Sequence, residues 1–307
     1  MGLGATAGAG HRCYDAVHES LQIPRDSPVA AEVRPMTADL ATPSAGDAPS
    51  VAAPLIRLDD VHKKFTNGTV ALRGMSLSIG PHEFVSFLGP SGCGKSTVLR
   101  LIAGLTQPSA GTIIRNTPRV QAHSHEIGFV FQEPTLMPWA SVSENVFLPL
   151  RVKHLGRGEA RAAVDEALAM VGLASFGKAY PRELSGGMKM RVSIARALVT
   201  RPRMLLMDEP FAALDEMTRF RLNDDLLALW ERNKWTVIFV THSVYESVYL
   251  SNRIVVMAPR PGRVIADRSI DAPYPRDEAT RTSAAYGEAC RGLSQLLQHG
   301  AATAGHD

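Results

Sequence analysis

Nine consecutive residues, Gly89-Pro90-Ser91-Gly92-Cys93-Gly94-Lys95-Ser96-Thr97, open with the eight-residue pattern G-x-x-x-x-G-K-[ST]. Their types suit one task, the holding of a polyphosphate. Glycines let successive backbone N–H groups turn inward around a phosphate, where any Cβ would obstruct the approach. Lys95 brings a flexible point charge to the β- and γ-phosphates, and the Ser96 hydroxyl can ligate Mg²⁺. Thr97 and the first-turn amides complete an anion site at the positive end of a helix. Cys93 lies inside this loop, where a helix N-terminus is expected to favour its thiolate; it reads either as a regulatory thiol or as a small filler.

Further along, the apolar run Met204-Leu205-Leu206-Met207 ends in Asp208-Glu209-Pro210. Four apolar residues in a row fit a central parallel strand, and ligands gather at the carboxyl ends of such strands. Asp208 is placed to hold a metal, and Glu209 to orient or deprotonate a water that attacks the γ-phosphate. His242 follows another apolar run, 33 residues after Glu209. Parallel strands would present both at one end of the sheet, so the imidazole can meet a γ-phosphate or its attacking water. Gln132 closes a further strand, and its amide can both ligate Mg²⁺ and sense it.

These residues need strands and helices in alternation to bring them together. Strands are predicted at 56–61, 75–79, 84–88, 112–115, 127–131, 204–207, 236–241, 253–257 and 264–270. Helices are predicted at 95–103, 143–152, 159–171, 187–199, 216–232, 243–249 and 281–298. In the second half, the strand–helix spacing implies right-handed crossovers and a parallel sheet. Residues 140–200 are nearly all helical, which reads as a helical subdomain inserted into an α/β core. The 307 residues, 45% hydrophobic, suffice for such a core.

Residues 1–54 differ. Gly, Ala, Pro and Ser make up half of them, a composition that buries too little apolar area to offset backbone entropy, and a flexible low-complexity tail is expected. No basic start precedes a compact apolar run there, so no secretory signal is read; Met1-Gly2 with Thr6 does fit the short myristoylation pattern. The tail holds three arginines against six acids, leaving 30 Lys and Arg against 24 Asp and Glu from residue 55 onward. That mild basicity suits phosphate ligands or an anionic membrane face. A net charge of +3 overall gives no argument for nucleic acid as a partner. No run reaches the roughly 18 apolar residues that a membrane span needs. Cys13, Cys93 and Cys290 are odd in number and far apart, which excludes a disulfide framework or zinc cluster and reads as a reducing cytosol.

One more segment, Leu184-Ser185-Gly186-Gly187-Met188, completes an ordered set with the phosphate loop, Gln132, Asp208-Glu209, Leu214-Asp215 and His242. From residue 55 to about 275 the chain closely resembles the ATPase subunit of ABC transporters. The resemblance implies an α/β fold: a P-loop NTPase (RecA-like) core, an antiparallel β-subdomain and the inserted helical subdomain at about 140–198. It makes 89–97 the Walker A loop, and 184–187 the signature loop whose Ser185 and Gly187 face the ATP bound to a second copy. It also assigns Phe65 to stacking on adenine, and Asp215 to the loop that connects the two sites of a dimer. Met188 stands where the family has Gln, which removes a side-chain amide but leaves the glycine amides in place.

The segments Glu133-Pro134-Thr135-Leu136-Met137-Pro138-Trp139 and Met257-Ala258-Pro259-Arg260-Pro261-Gly262-Arg263 look like the nitrate, sulfonate and taurine importer branch, whose members also handle pyrimidine precursors. Met190 departs from that branch, which usually has Gln there. The resemblance implies ATP and Mg²⁺, an ATP-sandwich homodimer, integral membrane permease subunits and a solute-binding protein reached through the assembled transporter. It places the chain at the cytoplasmic face of the cell membrane as a peripheral subunit. An exporter's ATPase subunit and a soluble ABC ATPase remain as alternatives. A GTPase is opposed by the lack of an Asn-Lys-x-Asp guanine motif.

Overall fold

The computed structural model describes residues 53–116 and 127–303. The expected tail, with Cys13 and the Met1-Gly2 terminus, falls almost wholly on residues 1–52, outside the described residues.

Three strands, β1 (Ile56–Lys64), β2 (Val70–Ile79) and β4 (Ala110–Arg115), form an antiparallel sheet in the order β2-β1-β4. Alternation explains the first pair: Ile56, Leu58 and Val61 of β1 and Met75, Leu77 and Ile79 of β2 point to one buried side. β2 starts five residues ahead of its expected position. The Phe65–Thr69 turn pairs its first half with β1, and Gly74 takes a positive φ of 63° there.

The second sheet has the order β5-β6-β7-β3-β8-β9. β3 (Phe84–Leu88), β5 (Ile127–Val130), β6 (Met204–Asp208), β7 (Thr236–Thr241) and β8 (Arg253–Met257) run parallel, and β9 (Val264–Ser269) returns antiparallel at the edge. β3, β6 and β7 are buried along their whole length, as unbroken apolar runs covered on both faces should be. They are adjacent, in the order β6-β7-β3, and pair Asp208 with Val240 and Leu88 with Thr241. Three carboxyl ends therefore finish level, side by side.

The helices are α1 (Lys95–Ile102), α2 (Val142–Val152), α3 (Arg157–Met170), α4 (Gly186–Leu198), α5 (Glu216–Asn233), α6 (Val244–Leu250), α7 (Glu278–Thr282) and α8 (Ala284–Thr303). α2 to α4 lie between β5 and β6 in the chain, the helical block expected there. Ser141 and Glu144 start α2 with a reciprocal capping box. Along α4 and its C-cap, Val192, Ala195 and Val199 are buried and Met188 half-buried, one stripe at helical spacing. The C-terminal helix expected as one piece is two. Ser283 adopts an extended conformation (ψ 149°), and its hydroxyl accepts the Tyr286 amide, ending α7 and capping α8.

Among the described residues three cores pack against the main sheet, the smallest joining α6 and α8 to Leu88, Ile254 and Val256. Of the other two, one joins α2–α5 to Phe84, Leu205, Met207 and Phe239; the second joins α1 and the small sheet to Val85, Phe87, Leu206 and Ile238.

Candidate functional site

β3 leads into the loop, of which Pro90, Ser91 and Gly92 are exposed. Its glycines are sterically required. Gly94 caps α1 at φ 101°, and a Cβ there would lie 2.9 Å from the Ala71 carbonyl oxygen. Lys95 is almost wholly buried and curls back, donating to the carbonyls of Gly89 (2.8 Å) and Pro90 (3.0 Å). Its Nζ also lies 3.4 Å from Glu209 Oε1. Phosphate oxygens would compete for these same donors.

Ser96, at the start of α1, donates its hydroxyl to Asp208 Oδ1 at 2.8 Å. Burial pushes the Asp208 carboxyl up, and the neighbouring Glu209 adds to this; the Ser96 hydrogen bond, Arg100 and Lys95 oppose it. Glu209 sits one residue beyond β6 at φ 44°, a left-handed conformation unusual for a side-chain-bearing residue. Its amide is fixed to the Val240 carbonyl at 3.0 Å. That kink turns the carboxylate across the sheet end, where Oε2 lies 3.1 Å from His242 Nδ1. Glu209 thus bridges Lys95 and His242, one residue along the chain from the Asp208 that holds Ser96.

Other expected site residues stand apart. Gln132 is exposed two residues past β5, and the hydrogen bonds of the cluster do not extend to it. The segment after it is firmly held: Arg196 of α4 donates to the Pro134 and Thr135 carbonyls, and buried Asn145 exchanges hydrogen bonds with Met137. Ser185 caps α4 by accepting the Met188 amide at 3.3 Å, and remains exposed. Gly187 behind it is buried, where a Cβ would lie 2.7 Å from Thr218 Cγ2. Asp215 caps α5 through the Thr218 amide at 2.9 Å, and that backbone hydrogen bond lowers its carboxyl below the usual range. Phe65 projects beyond β1, exposed, with Lys63 Nζ 5.5 Å from the ring centroid.

Comparison with known proteins fits this geometry. The ABC transporter family matches residues 72–212. A putative ATP-binding protein of Brucella abortus is 47% identical over 230 residues, covering 75% of this chain and 88% of that protein. The chain belongs to the ABC transporter ATP-binding family. The aliphatic sulfonates import ATP-binding protein SsuB of Bacillus cereus is 42% identical over 248 residues, covering 80% of this chain and 96% of its own. Among solved structures, a dimeric ATP-binding cassette in a post-hydrolysis state, bound to ADP and Pi, superposes with a TM-score of 0.62 at 34% identity. It covers 71% of this chain and 100% of its own. The chain is an ABC ATPase, the ATP-binding and ATP-hydrolysing subunit of a transporter.

Of the two readings of Cys93 in this ABC cassette, the small filler holds and the thiolate expected at a helix N-terminus does not. Cys93 carries no exposed thiolate: it is 1% exposed, and its Sγ fills the space over Gly89, 2.8 Å from where a Cβ would stand. Burial pushes the thiol up, outweighing Lys95 and the loop amides, so the residue is a filler. Arg260, in contrast, was read only as part of a motif. Its Nε donates to the Gly92 carbonyl at 3.1 Å, fastening the β8–β9 turn to the phosphate loop. Two Pro residues and a Gly around it marked a shaped turn, but nothing in the sequence said where that turn lands.

Proposed function

We propose that the chain powers import of a small anionic solute of the sulfonate class, working as a homodimer at the cytoplasmic face of the membrane. One observation carries the catalytic half of this reading: the Glu209 carboxylate reaches Lys95 at 3.4 Å and His242 at 3.1 Å at a single sheet end. Residues 89–97 cradle the phosphates of ATP, with Lys95 transferring its donors from loop carbonyls to phosphate oxygens. Glu209 accepts the proton of the attacking water, and His242, hydrogen-bonded to the other carboxylate oxygen, steadies it and the γ-phosphate.

The Ser96 hydroxyl and the Asp208 carboxylate, 2.8 Å apart, are hard oxygen donors that suit Mg²⁺. Among the described residues no group of three His, Cys, Asp or Glu could hold a metal. Such a sparse protein contribution fits an ion that takes its other ligands from phosphates and water. When bound, Mg²⁺ would neutralise phosphate charge; Gln132 would join from β5, next to β6, once its loop moves inward.

The exposed Ser185 and the amides behind it, opening a helix of thirteen residues, suit an anion brought by a second copy. Each ATP would lie between Lys95 of one copy and Ser185 of the other, with adenine on Phe65 and Asp215 linking the two sites. Permease subunits would dock on the helical block and the 132–141 segment, which is clamped by Arg196 and Asn145 and presents Trp139, 77% exposed. No helix of the described residues is long and apolar enough to cross a membrane, so the passage would belong to those partners. A solute-binding protein would deliver cargo outside. The likeness to SsuB favours sulfonates over the other solutes of the branch.

Purification of the intact assembly from membranes, followed by vesicle reconstitution, tests this reading. ATP turnover should rise when the external receptor is loaded with an alkanesulfonate. A chain that purifies with no multi-spanning partner, or an assembly indifferent to that cargo, would count against it.

A further inference from the structure

Behind the cluster lies a second polar chain that the roles above do not use. Arg219, one turn into α5 from Asp215, folds back so that Nη2 donates to the Leu214 carbonyl at 3.0 Å. The same guanidinium presents Nε to Glu246 Oε1 at 3.7 Å. Glu246 is buried on α6, four residues beyond His242. Its Oε2 accepts the Thr241 hydroxyl at 2.5 Å, and Thr241 Oγ1 accepts the Ser243 amide at 3.0 Å. Thr241 and Ser243 are the two chain neighbours of His242. We propose that Arg219 is a positioning residue that ties the Leu214-Asp215 turn to the His242 turn, acting through Glu246 and Thr241.

The surroundings argue for a tie rather than for packing. Arg219 Nε and Glu246 Oε1 are both buried without a hydrogen bond, and they face each other as an ion pair just beyond hydrogen-bond distance. A buried carboxylate is unfavourable unless paired, and here desolvation pushes the Glu246 carboxyl up while the Thr241 hydroxyl, Arg219 and His242 pull it back. Both side chains line a cavity of about 450 Å³ together with Asn223, whose Oδ1 is likewise buried and unpartnered. The cavity leaves the pair free to close or part. A displacement of the Leu214 carbonyl would draw on the guanidinium and so reach Glu246, Thr241 and the backbone on either side of His242.

The proposal rests on the reading that gives Asp215 and His242 their roles, and the test separates the two. Full-length Arg219→Ala, Glu246→Gln and the double variant would be compared for Mg-ATP affinity, KM and kcat, beside His242→Ala. Affinity and KM should stay within about twofold, while kcat falls about tenfold in each single variant. Because the residues act in series, the double variant should fall no more than about twofold below the weaker single. Arg219→Lys, which keeps the charge, should regain part of kcat and guards against an Ala variant that fails to fold. An unchanged kcat in folded Arg219→Ala, losses that multiply in the double variant, or a loss confined to KM would overturn the tie. Silent Arg219 variants beside an inactive His242→Ala would sink the tie alone; a fully active His242→Ala would sink both readings.

Discussion

Substituting Glu209→Gln keeps the size of the side chain and removes one negative charge from the sheet end. In the structure that charge lies 3.4 Å from the Lys95 ammonium. At an effective dielectric constant of about 20, unit charges at that separation attract by about 5 kcal/mol. Most of this is offset by lost hydration, and hydrogen bonds to charged groups contribute about 1.5–3 kcal/mol net. The long contact argues for the lower figure, which corresponds to about a tenfold change in an equilibrium constant. Freed of the carboxylate, Lys95 can turn wholly to phosphate, and the γ-phosphate no longer meets a like charge. Mg-ATP should therefore bind about tenfold more tightly, while loss of the general base should lower turnover by about 10²–10⁴. Titration with a fluorescent ATP analogue, phosphate release and sedimentation on the full chain read the three quantities, the last expected to show a stalled dimer. Turnover within about threefold of the parent, or weaker binding, would refute the reasoning.

Other outcomes can be measured on the same preparation. Lys95→Ala should weaken ATP binding by at least about a hundredfold, since several charge-assisted contacts go together; retained affinity in the titration would contradict the loop's role. Gly187→Ala sets a methyl 2.7 Å from Thr218 Cγ2 and should cost about 1–3 kcal/mol, read as a lower denaturation midpoint. An unshifted midpoint there would mean that α4 and α5 part freely. The raised Cys93 thiol holds less thiolate than an ordinary one at every pH below its shifted value. Iodoacetamide at pH 7–8 should therefore leave Cys93 unmodified in peptide maps of the native chain, and labelling at a free thiol's rate would contradict its burial. Deleting residues 1–52 should leave ATP turnover within about twofold, on compositional grounds alone.

The fold was readable because its strands are unmistakable. Apolar runs such as 204–207 and 236–241 read as central strands, and Glu209 and His242 follow at their ends. Adjacency was not readable. That β3, which precedes β6 by more than a hundred residues, lies beside β7 depends on how crossovers close, and that order brings Lys95, Glu209 and His242 together. For Cys93 the choice between thiolate and filler stayed open in the sequence, because a helix N-terminus argues from local electrostatics while burial against Gly89 is a fact of packing. The Arg219–Glu246 contact escaped notice for a related reason: either residue alone looks like an ordinary charge in the first turns of a helix.

Arg115, at the end of β4, donates from its guanidinium to the Leu101 and Ile102 carbonyls at the close of α1. This riveting binds the outer sheet to the helix behind the phosphate loop, and the core beneath them is shared. On the proposed placement of adenine against Phe65, both ends of the nucleotide are clasped by a single rigid block. A displacement of the helical block would then leave the two ends of that clasp in register with each other.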